Sequence, residues 1–244
     1  MANKWKDFYT IEAEIYNRRR YASWYGRLFA QLHHAALQDI LRGRPPYRHI
    51  LDLASGTGHN LPMLSNCGRL VVACDLTAAM LEESRKEYRA KSNIAYSVGD
   101  ALILPFADNT FDVVASARFL HLFSKSHQQD VLGEMVRVLK PGGLLLVDFY
   151  NSSHWRLLSP LINIYRRVKR KRPTEDTRNS VRDVHQWLRQ LSVRVHQTVG
   201  ISSYLLLFLR ILPQAQVFKV GQVFRYTPFR CLSEQFLIAA RKQP

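Results

Sequence analysis

The sequence predicts a doubly wound α/β domain built on a mostly parallel sheet. Three observations carry this. Short apolar runs alternate with stretches of helical period along residues 48–148. The first run, Ile50-Leu51-Asp52-Leu53, flows into a small Gly-bearing turn, Ala54-Ser55-Gly56-Thr57-Gly58. The next two runs each end on an acid, Asp75 and Asp100.

The elements follow in order. Residues 8–41 place Ile11, Ile15, Trp24, Leu28, Leu32, Ala36 and Ile40 at helical steps, which predicts helix. Arg42-Gly43-Arg44-Pro45-Pro46 is a break. A strand over 48–53 precedes a helix near 58–66. A strand over 70–74 precedes a helix over 77–90, with Thr77 as its N-cap. Strands over 94–98 and 111–115 follow. A helix over 126–139 stops at Lys140-Pro141-Gly142-Gly143, and Leu144–Asp148 is the fifth strand. Beyond it, residues 155–171 and 179–191 read as helices and 193–199 as a sixth strand. Residues 203–212 read as an apolar helix closed by Pro213, and 235–240 as a closing strand. The expected organisation is a helical lid over 1–45, a nucleotide-binding core over 46–150, and a C-terminal part over 151–244.

The turn after the first strand sits where doubly wound folds bind nucleotides. Gly56 and Gly58 carry no Cβ, so the backbone there can approach a ligand closely. Asp75, about 20 residues past the turn, is placed to accept ribose hydroxyls. Asp100 can accept the exocyclic amine of adenine, and the Ala101 N–H can meet a ring nitrogen. Asp52, Asp75 and Asp100 thus offer polar groups from three strand ends to one crevice. Ala54, Ser55 and Leu76 complete the expected cofactor-binding set. A nicotinamide or flavin fingerprint would need a third glycine at position 61, which is Leu61. No Lys-Ser/Thr pair follows the turn, so a phosphate-cradling loop is also disfavoured. Both absences argue for a cofactor without pyrophosphate.

The segments ILDLASGTG (50–58), VVACDLTAAML (71–81), VGDALILPFADNTFDVV (98–114), ARFLHLF (117–123) and LGEMVRVLKPGGLLLVDF (132–149) resemble the class I S-adenosylmethionine-dependent methyltransferases. The resemblance is greatest to the branch with ubiquinone/menaquinone-type and other small-molecule enzymes. It covers most of residues 48–149. The family usually has glycine where this chain has Ala54. The resemblance implies a Rossmann-like, seven-stranded methyltransferase fold with an antiparallel closing strand. It also implies an N-terminal helix pair closing over the cofactor, and helical insertions after the fifth strand. S-adenosyl-L-methionine is the implied cofactor. Arg20 would clamp its methionyl carboxylate and Tyr16 would cover the methyl group, although Asn17 stands where the family often has Asp. The other reading has Tyr16 packing and the arginines solvated. His121 falls in the crevice the family uses for methyl transfer. It is expected to pack beside the cofactor, with general-base catalysis as the alternative. No histidine spacing suits a metal, and methyl transfer from a sulfonium needs none.

Composition sets the remaining bounds. A chain of 244 residues, 47% apolar, can bury a large α/β core. Cys67, Cys74 and Cys231 form no metal spacing and suit a reducing cytosol. No signal segment or run near the ~20 apolar residues of a membrane span is visible, so a cytoplasmic location is expected. The net charge of +16 is uneven, with +13 on residues 151–244 and +3 on the rest. An anionic partner is one explanation and a solvated basic face the other. Arg166, Arg167, Lys169, Arg170, Lys171 and Arg172 beside an apolar helix could hold anionic lipid, with peripheral attachment to a membrane. The same cluster could hold RNA phosphates. The expected function is methyl transfer to a small, apolar or lipid-like acceptor. A tRNA or rRNA methyltransferase and a non-catalytic cofactor-binding regulatory subunit are the alternatives.

Overall fold

The computed structural model describes residues 2–43, 46–168, 176–226 and 228–244. Two helices open the chain, α1 (Ala2–Tyr21) and α2 (Trp24–Leu41). Ser23 caps α2, its side chain accepting the Gly26 N–H. The buried face of α2 runs through Leu28, Leu32, Ala36, Leu37 and Ile40, the period seen in the sequence. The core follows as β1 (Tyr47–Leu53), α3 (Leu61–Leu64), β2 (Gly68–Asp75), α4 (Ala78–Glu87), β3 (Ile94–Val98) and β4 (Phe111–Ser116). Then come α5 (Lys125–Val138), β5 (Leu139–Tyr150), α6 (Ser152–Val168), α7 (Val181–Gln190), β6 (Val193–Ile201), α8 (Gln214–Tyr226) and β7 (Gln235–Lys242).

The seven strands form one sheet in the order β3-β2-β1-β4-β5-β7-β6. β1 to β5 pair in parallel, while β7 runs antiparallel between β5 and β6. Strand order reverses between β1 and β4, so a crevice opens at their carboxyl ends. Alternate strand residues feed two cores. Ile50, Val71, Val113 and Leu146 face the layer of α2, α3 and α8. Leu51, Cys74, Val114 and Leu145 face the layer of α5 and α7. Both faces of the central strands are buried, which is why they read as continuous apolar runs.

Three expectations need correction. No break separates α5 from β5. The strand begins at Leu139, and the Lys140–Gly143 stretch forms an irregularity where pairing shifts between Phe111 and Val113. The apolar helix expected over 203–212 is a 3-10 helix over Tyr204–Leu209. Pro213 then begins a helix rather than closing one. Its carbonyl accepts the Gln216 and Val217 N–H groups, and its own missing N–H costs nothing in a first turn. Thr77 does occupy the N-cap of α4, but its side chain makes no capping bond. Of the basic cluster over 166–172, residues 169–172 lie outside the described residues.

The turn between β1 and α3 is held against α4 at Gly58. This residue has φ of +87°, and a Cβ there would lie 2.6 Å from Ser84 Oγ and from the Tyr88 ring. Gly58 therefore serves close helix packing, not approach of a ligand. Gly58→Ala is expected to cost about 2–4 kcal/mol, combining left-handed strain with overpacking. Urea unfolding checks this, and a loss under ~1 kcal/mol would show that the turn relaxes around the methyl group.

Candidate functional site

The carboxyl ends of β1, β2 and β4 and the loop after β3 enclose a cleft of about 1240 Å³, open to solvent, with α1 across it. Its floor is the turn after β1. Ala54 has φ of +54° and Gly56 +53°. The left-handed conformation at 54 gives a physical reason for glycine in the resembling family, since an L-residue there carries about 1 kcal/mol of strain. A Cβ on Gly56 would meet nothing within 4 Å, so this residue keeps open space in the cleft. The turn is tied to its neighbour strand. The Gly56 N–H donates to Asp75 Oδ2 at 2.9 Å, and the Thr77 N–H donates to Asp75 Oδ1 at 2.9 Å. Burial pushes the Asp75 carboxyl up, and these two N–H bonds pull it back. Asp100 Oδ1 accepts the Leu102 N–H at 3.0 Å.

Of the residues expected at a cofactor site, Tyr16, Ala54, Ser55, Gly56, Asp75, Leu76, Asp100 and Ala101 line this one cleft. Four expected residues do not. Gly58 packs on α4. Asp52 is fully buried, its Oδ1 accepting from Asn60 Nδ2 at 2.9 Å. Arg20 stands behind Tyr16, donating from Nε to the Tyr16 hydroxyl at 3.3 Å. His121 is buried in a 3-10 turn over Leu120–Leu122, with its ring edge-on to Tyr150 at 4.5 Å and its Nε2 3.7 Å from Asp176. Burial first, then Arg20, Arg118 and Arg178, hold its imidazole neutral. The structure does not bring His121 to the cleft wall, which a proton-transfer role would require.

Other residues escaped the sequence reading. Tyr9 and Tyr21 join Tyr16 on the α1 side, and Phe119, Leu122 and Phe123 form an apolar wall after β4. Arg118 projects into the same cleft. Thr57 donates its hydroxyl to Asn17 Oδ1 at 2.6 Å, so the departure from Asp at 17 still ties α1 to the turn. The aromatic spacing of α1 was visible in the sequence. Arg118 was hidden inside the quoted 117–123 segment.

Beneath the cleft lies a buried polar layer of His33, Asp52 and Asp148, with His59 rising from it to the cleft wall. Burial pushes Asp52 and Asp148 each up to about 7 and His33 down to about 3. His33 Nε2 and Asp148 Oδ2, 3.8 Å apart, are therefore neutral neighbours at mildly acidic pH and not an ion pair. Because the folded carboxyl of Asp52 binds its proton more tightly than the unfolded one, its contribution to stability is lost as pH rises from about 4 to about 7. Asp52→Asn retains an acceptor for Asn60 and removes this loss. The variant and the wild type should unfold alike at pH 4, and the variant should be more stable by about 2 kcal/mol or more at pH 8. Urea midpoints at the two pH values measure the difference, and a variant weaker at pH 8 would contradict the sign.

Comparison with known proteins places this geometry. Residues 50–143 match the methyltransferase domain family. The demethylmenaquinone methyltransferase of Beutenbergia cavernae is 38% identical over 130 residues, 53% of this chain and 52% of that protein. A ubiquinone/menaquinone biosynthesis C-methyltransferase of Cereibacter sphaeroides is 40% identical over 117 residues, 46% of each chain. The alignments thus span about half the length of these curated relatives. Magnesium protoporphyrin IX methyltransferase from Synechocystis PCC 6803, solved with S-adenosylhomocysteine, superposes with a TM-score of 0.67 at 14% identity, covering 96% of this chain and 99% of that one. The strand order and the cleft at its switch point agree with the matched segment: residues 50–143 match a methyltransferase domain, set in the fold of that solved methyltransferase.

Proposed function

We propose that the protein transfers a methyl group from S-adenosyl-L-methionine to a small, apolar or lipid-like acceptor, of which a quinone precursor is one instance. The observation that carries the cofactor reading is the convergence of the open Gly56 backbone, Asp75 and Asp100 on one cleft. Asp75 retains lone pairs for a ribose diol beyond its two backbone bonds. Asp100 and Ala101 would hold the adenine. Gly56 would pass the backbone close to the sugar. These residues suit a nucleoside without pyrophosphate, because the Gly turn leads into the four-residue α3 with no lysine. When bound, the cofactor supplies an electrophilic methyl group. What this chain supplies is placement, an apolar wall of Phe119, Leu122 and Phe123 that aligns an acceptor and excludes water. That wall supports an apolar acceptor, and the curated relatives that align with half the chain are quinone-pathway enzymes by name.

Surface attachment is part of the same reading. No helix among the described residues is long and apolar enough to cross a membrane. Phe208 and Ile211 are 71% and 92% exposed on either side of Arg210. Apolar tips beside basic side chains suit an anionic lipid surface, where a lipid-like acceptor would be met.

Calorimetric titration with S-adenosylhomocysteine tests the cofactor reading. Asp75→Ala should weaken binding by about 1–3 kcal/mol, the cost of leaving polar partners unmatched. Unchanged affinity in a folded variant would remove Asp75 from the site. Mass spectrometry of extracts incubated with protein and methyl-labelled cofactor should reveal a labelled apolar product. Labelled RNA instead would shift the assignment to the nucleic-acid alternative. Co-sedimentation with phosphatidylserine vesicles should fall several-fold in Phe208→Ser/Ile211→Ser, and equal sedimentation would argue against attachment there.

A further inference from the structure

Arg118 occupies an unusual position. It follows β4 with φ of +57°, a conformation that non-glycine residues adopt only when their surroundings impose it. The imposing contact is visible. The Arg118 N–H donates to Asp148 Oδ1 at 2.7 Å, across the gap between β4 and β5. This turns the side chain inward between α1 and α2. Its guanidinium carbon lies 5.6 Å from the Tyr21 ring centroid and 5.0 Å from that of Phe29. Two aromatic rings thus fix the plane of the guanidinium where it borders the cleft.

What Arg118 lacks is an anion. Among the described residues its guanidinium makes no ion pair with a carboxylate, and its buried Nε has no hydrogen-bond partner. Asp148 is the nearest candidate, yet it spends Oδ1 on the backbone N–H. Arg20 approaches from α1 and bonds, among the described side chains, the Tyr16 hydroxyl. Both guanidinium groups act on the buried His121 ring, Arg118 from the cleft and Arg20 from behind Tyr16. A charge held in a partly dry site is costly unless it is paired. The Tyr21 hydroxyl takes one bond from this guanidinium, and the unpartnered Nε leaves an edge that a carboxylate can meet.

We propose that Arg118, backed by Arg20, is the carboxylate-binding residue of the cleft. The carboxylate comes either from the methionyl end of the cofactor or from an acidic acceptor. This rests on the proposed cofactor site for its probes, and the first source moves the clamp expected of Arg20 onto Arg118.

Titration with three probes separates the sources. S-adenosylhomocysteine carries the carboxylate, 5′-methylthioadenosine lacks the amino-acid end, and benzoate stands for an acidic aromatic acceptor. Arg118→Gln removes the charge, and Arg118→Lys keeps the charge without the fork. Thermal unfolding shows that each variant is folded. If the cofactor is the source, Arg118→Gln weakens S-adenosylhomocysteine tenfold or more, while 5′-methylthioadenosine changes by about twofold at most. Arg118→Lys should fall between. If the acceptor is the source, S-adenosylhomocysteine affinity holds and benzoate binding to the loaded protein is lost in Arg118→Gln. Wild-type affinity for both probes in folded Arg118→Gln overturns the proposal. Failure of the wild type to bind either nucleoside would instead overturn the cofactor reading, and benzoate binding to the unloaded protein, lost in Arg118→Gln if the proposal holds and unchanged if it does not, would then decide on Arg118.

Discussion

The bond from the Gly56 N–H to Asp75 is the constraint on which the rest of the site depends. It joins the turn after β1 to the tip of β2, beyond the ladder from Tyr47 to Leu53 and the bond from the Ser55 N–H to the Cys74 carbonyl. With that bond made, residues 54 and 56 must both take left-handed backbone. The chain then rises over the strand ends rather than running on as helix, and space remains above Gly56. Gly58 completes the turn by pressing it onto Ser84 and Tyr88 of α4. One turn thus sets the cleft floor, the position of Asp75 and the seat of α4.

A second constraint lies below the floor. Asp52 and Asp148 end inward-facing positions of β1 and β5, on the same side as Ile50 and Leu146. A doubly wound sheet would bury apolar groups there. The chain instead buries acids that burial drives toward neutrality, opposite His33, which burial also drives toward neutrality. These groups act as hydrogen-bonding scaffolds rather than as charges. Asn60 is fixed by Asp52, and the Arg118 backbone by Asp148. The charged groups of the site are carried above this layer, at the cleft surface, where a ligand can meet them.

How much of this was legible in the sequence differs by element. The seven strands were readable because both faces of the central ones are buried, which leaves unbroken runs such as Leu144–Val147. α8 was not readable. Pro213 looks like a stop, and Gly221 looks like a break within the helix. In the fold Gly221 is the point where α8 comes closest to α2, since a Cβ there would lie 2.9 Å from Leu32. Packing against α2 offsets the ~1 kcal/mol that glycine costs in a helix, and no local propensity records it. The cleft-lining acids at 75 and 100 were legible from spacing along strands. Asp52, equally regular in sequence, sits inside the ladder opposite Ala73 and is covered by Asn60, whereas Asp75 on the same face stands two positions further along, at the tip of β2, a fact that depends on the register of the sheet. Arg118 was illegible for a different reason. A basic residue after a strand looks the same whether solvated or turned inward, and only the pairing of its N–H with Asp148 decides between them.

The same physics explains why α1 belongs to the site and not to the scaffold. Among its residues whose side chains are described, only Ala13 is fully buried. One methyl group contributes under ~1 kcal/mol, far less than the buried face of α2. What holds α1 over the sheet is packing on α4 and α2 together with a set of contacts at the cleft itself. Asn17 receives the Thr57 hydroxyl, Tyr21 stacks on His59 at 4.8 Å, and Tyr9 and Tyr16 face the opening. Apolar area added between these rings and the cleft floor adds directly to these contacts. A ligand that fills the cleft therefore acts on the position of α1, because that helix lends three of its rings to the cleft wall while its remaining packing is on α4 and α2.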